Sequence, residues 1–388
     1  MEIRALRPDE IDGVRDIRAR AFGPVPDEVW ARRLRRFRPS HEAGRHFAGF
    51  DGGEIVAAGT LFDMTQWWHG RAVSMAGVSA VSVAPERRGQ GAGRRLMTGL
   101  LERCAGFGHA VSMLYPATTT LYRSLGWEHA GAQHHVEFPA EALRSIAADP
   151  VPLRRPGPGD AAEVAAVIGR AHRTARDCGP VGWDEPMWRG MLEDGEHYCY
   201  LAEDGFLAYR WAEDGETRLD VARLVASSER TLRALWALVG SGSSTAATVR
   251  ACVAPYDPVL WLIRERESEN VHRSQWMLRV VDAPAAIGAR GYPGGVTVRA
   301  SLHIDDPQRP ANTGHWRLEI EDGAGRLEPS APPRAGDTGA VRLGPRGLSA
   351  LYAGVPVTTL RRTGLLAGGD ADALSPAFAA TPFTLDFF

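Results

Sequence analysis

The chain contains no lysine; all 45 of its basic residues are arginine, a bias that fits a GC-rich coding sequence. Excess charge is missing too: the formal net charge is −2, so nothing in bulk favours nucleic acid or an anionic membrane surface. No apolar run approaches the ~20 residues of a membrane-spanning helix. The opening MEIRALRPDEIDGVRD lacks the apolar core of a secretory signal. Cysteine is scarce, and Cys104, Cys178, Cys199 and Cys252 form no C-x-x-C pair. That spacing argues against a disulfide framework or zinc site and for buried, reduced thiols in the cytoplasm. His129, His134 and His135 lack cysteine or acidic company at ligand spacing, so they are read as strand surface with no metal.

The rest is the composition of an ordinary globular protein, 44% hydrophobic and 24% charged over 388 residues, too long for one compact core. Two stretches begin alike, EIRALRPDEIDGVRDIRARAF at the start and VPLRRPGPGDAAEVAAVIGRAH from residue 151. Each reads as a short strand, an Arg/Pro turn, an acidic residue and then apolar residues at helical spacing. Each is followed by a hairpin signal, HFAGFDGGEIVAAGTLF and CYLAEDGFLAYRWAEDGETRLDVARLV, and then by a strand running into a helix. This pattern reads as an internal duplication of one α/β unit. From about residue 275, strands and a helix alternate with Gly-, Pro- and Asp-rich turns, APPRAGDTG being a surface loop, which reads as an α+β segment.

The copies differ at the turn between strand and helix. The first has ERRGQGAGRR and the second only ASSERT. Glycines let the backbone approach a ligand closely, and a helix N-terminus offers unpaired N–H groups with the positive end of the dipole. Arg88-Gly89-Gln90-Gly91-Ala92-Gly93, with Arg94 beside it, is therefore a candidate phosphate site; the hexamer alone fits a surface turn equally well. Neither G-x-x-x-x-G-K-[ST] nor G-x-G-x-x-G occurs here, which leaves some other phosphate-bearing ligand.

The stretch VSVAPERRGQGAGRRLM resembles the acetyl-CoA motif of the GCN5-related N-acetyltransferases (GNAT), and ATTTLYRSLGWEHAG resembles the segment that closes it. The resemblance implies that the loop amides hold the pyrophosphate of acetyl-CoA and that Val81, Ser82 and Val83 bond its pantetheine arm through their backbone. Ala117 and Thr118 match a further contact, although their side chains depart from the family's usual pair. The whole chain is similar to the Eis family. This implies tandem GNAT folds, the second degenerate, followed by a sterol-carrier-protein-like α+β domain. The corresponding spans are 1–148 (catalytic), 149–274 and 275–388. It also implies acetylation of aminoglycoside or polyamine amines by a cytoplasmic hexamer. A secondary-metabolite amine as acceptor, or a CoA- or lipid-sensing module without catalysis, are the competing readings.

By the same resemblance Tyr122 is the general acid and the carboxylate of Phe388 the general base. A phenol near pKa ~10 can protonate a thiolate near ~8.5. The alternative for Tyr122 is a packing aromatic. An ending as apolar as Phe383-Thr384-Leu385-Asp386-Phe387-Phe388 implies docking, for catalysis or merely to fill a core. An α-carboxylate near pKa ~3.5 is a poor base; burial, a bridging water or a purely orienting role all stay open. Candidates for a cationic acceptor are Asp27, Glu28, Trp30, Trp67, Trp68 and Asp386, each of which also reads as surface charge or core aromatic.

Overall fold

The computed structural model describes residues 1–212, 217–264, 271–333 and 339–388. The turn of the second hairpin (213–216) and the middle of APPRAGDTG (334–338) lie outside the described residues. The chain divides into two compact units. One comprises residues 1–131, 275–381 and Phe388; the other comprises 132–274 and 382–387.

The first unit opens with β1 (Glu2–Ala5), α1 (Gly13–Phe22), α2 (Asp27–Arg36), α3 (Arg38–Glu42) and β2 (His46–Asp51). It continues through β3 (Glu54–Trp68), β4 (Arg71–Val83), α4 (Ala92–Gly106), β5 (Val111–Leu114) and α5 (Thr119–Arg123). Its strands lie in the order β1-β2-β3-β4-β5, antiparallel except for the parallel β4–β5 pair. Alternation along the strands fills both faces of the sheet. Leu61, Ala76 and Val78 pack with Leu96, Met97 and Leu100 of α4. Ala48, Phe50 and Ala58 pack with Val14 of α1 and Trp30 of α2.

Strand β6 (Glu128–Pro139) enters the second unit, where α6 (Ala140–Arg144), α7 (Ala161–Ala175), β7 (Cys178–Trp183) and α8 (Glu185–Asp194) follow. Next come β8 (Tyr198–Leu201), β9 (Gly205–Trp211), β10 (Arg218–Ala226), α9 (Glu229–Gly240), β11 (Thr248–Val253) and α10 (Val259–Leu262). The order is β6-β11-β10-β9-β8, with β10 and β11 parallel. The duplication is visible in topology: β4–α4–β5 and β10–α9–β11 are the same strand–helix–parallel strand crossover.

Strand β12 (Val271–Val280) returns to the first unit, its Met277–Val280 pairing antiparallel with β5. The remaining elements are α11 (Ala283–Ala289), β13 (Val298–Ile304), β14 (Gly314–Glu321), β15 (Ala324–Pro329) and β16 (Val341–Leu343). Then follow α12 (Pro345–Tyr352), α13 (Val357–Arg362), β17 (Leu366–Ala367) and α14 (Leu374–Phe378). These strands form a separate sheet ordered β15-β14-β13-β16-β17. The four cysteines are free and buried, and no helix of the described residues is long and apolar enough to cross a membrane.

Candidate functional site

The long β3–β4 hairpin carries a bulge. Register runs from Trp68↔Arg71 to Thr60↔Ser79 and resumes at Ala58↔Ser82, so Gly59 faces two residues, Ala80 and Val81. Ala80 absorbs the extra residue with φ at 52°, a left-handed conformation uncommon for a residue with a side chain. On its other side β4 pairs with β5 only from Met75↔Val111 to Val78↔Leu114. Strand β5 ends there, and Ser79–Val83 run on without it. The Ala84 N–H donates to the Val56 carbonyl at 3.0 Å. Because bonded and non-bonded pairs alternate, Ala57↔Val83 is a non-bonded pair, and the Val83 N–H turns toward this open edge. An extended ligand arm can add to such an edge as a strand would.

Strand β4 leads into the glycine loop. Gly89 (φ 74°) and Gly91 (φ 79°) are left-handed, and a Cβ on either would meet nothing, so conformation rather than space selects glycine. Gly91 is the N-cap of α4 and has no side chain to occupy the first amides of the helix. Gly93 is different: its φ is ordinary, and a Cβ there would make ordinary contact with Val83 and Leu121. The loop is braced by Gln90, whose Nε2 donates to the Glu86 carbonyl at 3.0 Å, and by Arg20, which pairs with Glu86 at 2.8 Å. Arg88, Arg94 and Arg95 are exposed, Arg94 reaching Ser124 Oγ at 2.8 Å, while Arg87 pairs with Asp51 at 3.2 Å. Ala117 and Thr118 are exposed, and Thr118 leaves α5 without a side-chain cap.

Tyr122 lies on α5, buried in the core with Leu96, Met97, Leu114 and Trp127. Burial pushes its phenol above the ordinary tyrosine value, so the proton is held well past neutrality. Residues far along the chain fix the turn that follows. Arg279 Nε donates to the Leu125 carbonyl at 3.0 Å, and Ser349 Oγ to the Gly126 carbonyl at 3.3 Å. Arg123 and Arg346 both bond Glu128. Arg279 is itself fully buried and forked onto Asp306 at 2.6 and 2.7 Å. Gly126 has φ at 93°, and a Cβ there would stand 2.6 Å from Pro345 Cβ and 2.7 Å from Arg279 Nε. Sequence reading missed this bracket, because its two halves are far apart in the chain.

Phe388 belongs to the same unit as Tyr122. Its ring lies on β4, where a Cβ on Gly77 would come within 2.7 Å of it, and beside Phe62 (6.4 Å) and Tyr115 (5.9 Å). The residues before it are seated in the second unit. Phe383 N–H donates to the Cys178 carbonyl at 3.0 Å, Gln133 Nε2 donates to the Leu385 carbonyl at 3.2 Å, and Phe383 and Leu385 join the core around Trp188. Gly179 (φ 101°) is forced, since a Cβ there would sit 2.3 Å from the Phe383 oxygen.

Of the acceptor candidates, Asp27 and Glu28 are exposed on α2, Asp27 paired with Arg15. The other candidates are buried. Trp30 is a core side chain donating to Asp12 at 3.0 Å. Trp67 is buried, and Trp68 is fully so, donating to Gln66 at 3.1 Å with the Arg290 guanidinium 5.0 Å over its ring. Asp386 is buried against Arg223, which neutralises it. His129, His134 and His135 lie half-buried on β6, and burial holds each below the ordinary histidine value.

Comparison with known proteins accords with this geometry. Profiles for an acetyltransferase (GNAT) domain match residues 2–130 and 179–280, and one for a sterol carrier protein domain matches 283–384. The chain thus holds two GNAT domains followed by a carrier-like domain. A GCN5-related N-acetyltransferase from Kribbella flavida is 45% identical, with TM-score 0.93 over 100% of this chain and 98% of that one. An uncharacterised N-acetyltransferase of Streptomyces coelicolor is 28% identical over 97% of this chain and 96% of its own length. N-acetyltransferase Eis of Mycobacterium tuberculosis is 26% identical over 72% of each.

Proposed function

Because the chain belongs to the GCN5-related N-acetyltransferases and has the domain arrangement of the Eis type, we propose that it transfers the acetyl group of acetyl-CoA to a primary amine of a small molecule. The reading is carried by one conjunction within a single unit: a β4 edge open from Ser79 to Val83, running into a helix N-terminus that no side chain caps. The open edge takes the pantetheine arm through backbone groups of Val81, Ser82 and Val83. The amides around Gly89, Gly91, Ala92 and Gly93 take the pyrophosphate, with charge from Arg88 and Arg94.

The amine nitrogen attacks the thioester carbonyl; a C–N bond forms and the C–S bond breaks. The Val83 N–H, turned to the open edge, bonds the oxyanion. Tyr122 gives its phenolic proton to the departing thiolate, a transfer that runs uphill for a phenol raised by burial and is completed as solvent reprotonates the phenolate. The carboxylate of Phe388 receives the proton that the attacking ammonium must shed. Aminoglycosides and polyamines, implied by the Eis resemblance, open the list of acceptors, and a cytoplasmic hexamer is the assembly to seek by light scattering.

The test is CoA release from acetyl-CoA against a panel of amines, repeated on a chain extended by Gly-Ser-Gly-Ser after Phe388. The extension should lower kcat by about a hundredfold while leaving melting temperature and acetyl-CoA affinity unchanged. Full turnover in the extended chain removes Phe388 from the mechanism, and release with no amine removes the reaction.

A further inference from the structure

The face of the sheet that carries Phe388 has a row of polar side chains that the transfer reaction does not use. His46, Thr60 and Ser79 are direct neighbours across β2, β3 and β4. The next pair along the same face is Phe62↔Gly77, and Phe388 rests on Gly77. Two residues of strand separate the pairs, so the polar row stands about 7 Å from the terminal ring. Phe37 lies 5.0 Å from Phe62, and His46 lies 6.5 Å from it, giving the row an aromatic wall.

Hydrogen-bond direction gives the row its chemistry. Arg18, on α1, donates from Nη2 to Thr60 Oγ1 at 3.2 Å. Thr60 Oγ1 also lies 3.1 Å from His46 Nδ1, and a hydroxyl that accepts from Arg18 can donate to that nitrogen or accept from it as well. Where the hydroxyl donates, the imidazole proton is on Nε2. Burial and the Arg18 charge hold His46 down to about 3, so the ring is neutral at physiological pH. His46 Nε2 and Arg18 Nε are both buried, and neither meets a hydrogen-bond partner. A native interior rarely leaves such nitrogens unsatisfied. An accepting group satisfies Arg18 Nε, and His46 Nε2 with it in the tautomer that carries the proton there.

Charge agrees with donor count. Among the described residues no carboxylate pairs with Arg18. Asp12 accepts from Trp30, and Asp16, Asp27 and Asp63 pair with Arg20, Arg15 and Arg45. Residues 32–46 carry six arginines against one acid, Glu42. Burial lowers Arg18 only to about 10, which leaves it charged. A polycation would be repelled here.

We infer that Arg18 with the His46–Thr60–Ser79 row binds an anionic group, carboxylate or phosphate, borne by the acceptor, one same-face strand pair along from the pair on which Phe388 rests. The inference rests on the proposed acetyl transfer and turns its acceptor away from aminoglycosides and polyamines.

The test compares 4-aminobutyrate and 2-aminoethyl phosphate with neutral 4-aminobutanamide and cationic 1,4-diaminobutane and kanamycin. At least one anionic amine should exceed the neutral and cationic ones about tenfold or more in kcat/KM, and which of the two leads tells carboxylate from phosphate. Arg18→Gln should collapse that ratio through KM, and Arg18→Lys should keep part of it. If Arg18→Gln fails to melt cooperatively, Thr60→Val supplies the same reading. Preference for diamine or kanamycin overturns the inference while leaving the transfer intact. With no transfer to any amine, calorimetric titration with 2-aminoethyl phosphate decides: Arg18-dependent binding upholds the anion site and overturns the reaction, and absence of binding overturns both.

Discussion

Two helices open alike in topology and unlike in chemistry. Helix α4 follows β4, and α9 follows β10, each leading to a parallel strand. At α4 the cap is Gly91, left-handed and bare. At α9 the cap is Ser228, whose Oγ accepts from the Thr231 N–H at 3.2 Å. Asp204 stands over the same turn, bonded by Thr231 Oγ1, and its carbonyl takes the Ser227 N–H at 2.9 Å. The second helix has capped the Thr231 amide with its own side chain and placed a carboxylate where an anion would come. Its second unit instead uses interior positions such as Gly179 to seat residues 383–386. A duplicated fold has thus kept its frame while one copy leaves its helix start bare and the other caps it.

The difference can be tested at four points. Tyr122→Phe strikes hardest: if chemistry belongs to the first domain alone, kcat falls by about a hundredfold or more, with acetyl-CoA affinity kept. Because burial holds the phenol above ~10, no falling limb of kcat below pH 10 should vanish in that variant; one that does assigns Tyr122 a lower pKa than its burial allows. Next is Gly91→Val, which forces a branched side chain into a left-handed cap. Titration should show acetyl-CoA binding weakened about tenfold or more, and unchanged binding would put the pyrophosphate elsewhere.

Gly126→Ala should come third. The added methyl meets Pro345 and Arg279, so we expect about 2 kcal/mol of lost stability by denaturant titration and a fall in kcat larger than any change in acetyl-CoA KM. A rise in KM alone would detach this turn from Tyr122. Ser228→Ala closes the series. It should cost about 1 kcal/mol and leave both acetyl-CoA affinity and kcat unmoved; a loss of affinity would mean that the second helix also binds.

Local features were the legible ones. The loop at 88–93 and the Tyr122 segment could be read because their spacing sits within a few residues, and the duplication because period-2 and helical patterns recur in order. Trp68 could not be placed, because the guanidinium covering it comes from Arg290. Trp30 looked available for the same reason, with its partner Asp12 on a different segment. Arg18, His46 and Thr60 stayed invisible because their meeting depends on the register of β2 against β3 and on where α1 crosses them. Burial and register are tertiary quantities that no window of sequence contains.

The bracket around Gly126 has a consequence for how the molecule is made. Its bonds from Arg346 and Ser349 reach back 218 and 223 residues. On a chain growing from the ribosome, that turn waits unfinished while the whole of 132–274 emerges and can fold first. Closing so long a loop is slow, whatever its final stability. A segment written in the first third of the chain therefore becomes rigid among the last, and a truncated product ending before residue 345 would lack the Arg346 and Ser349 bonds to the turn that follows Tyr122.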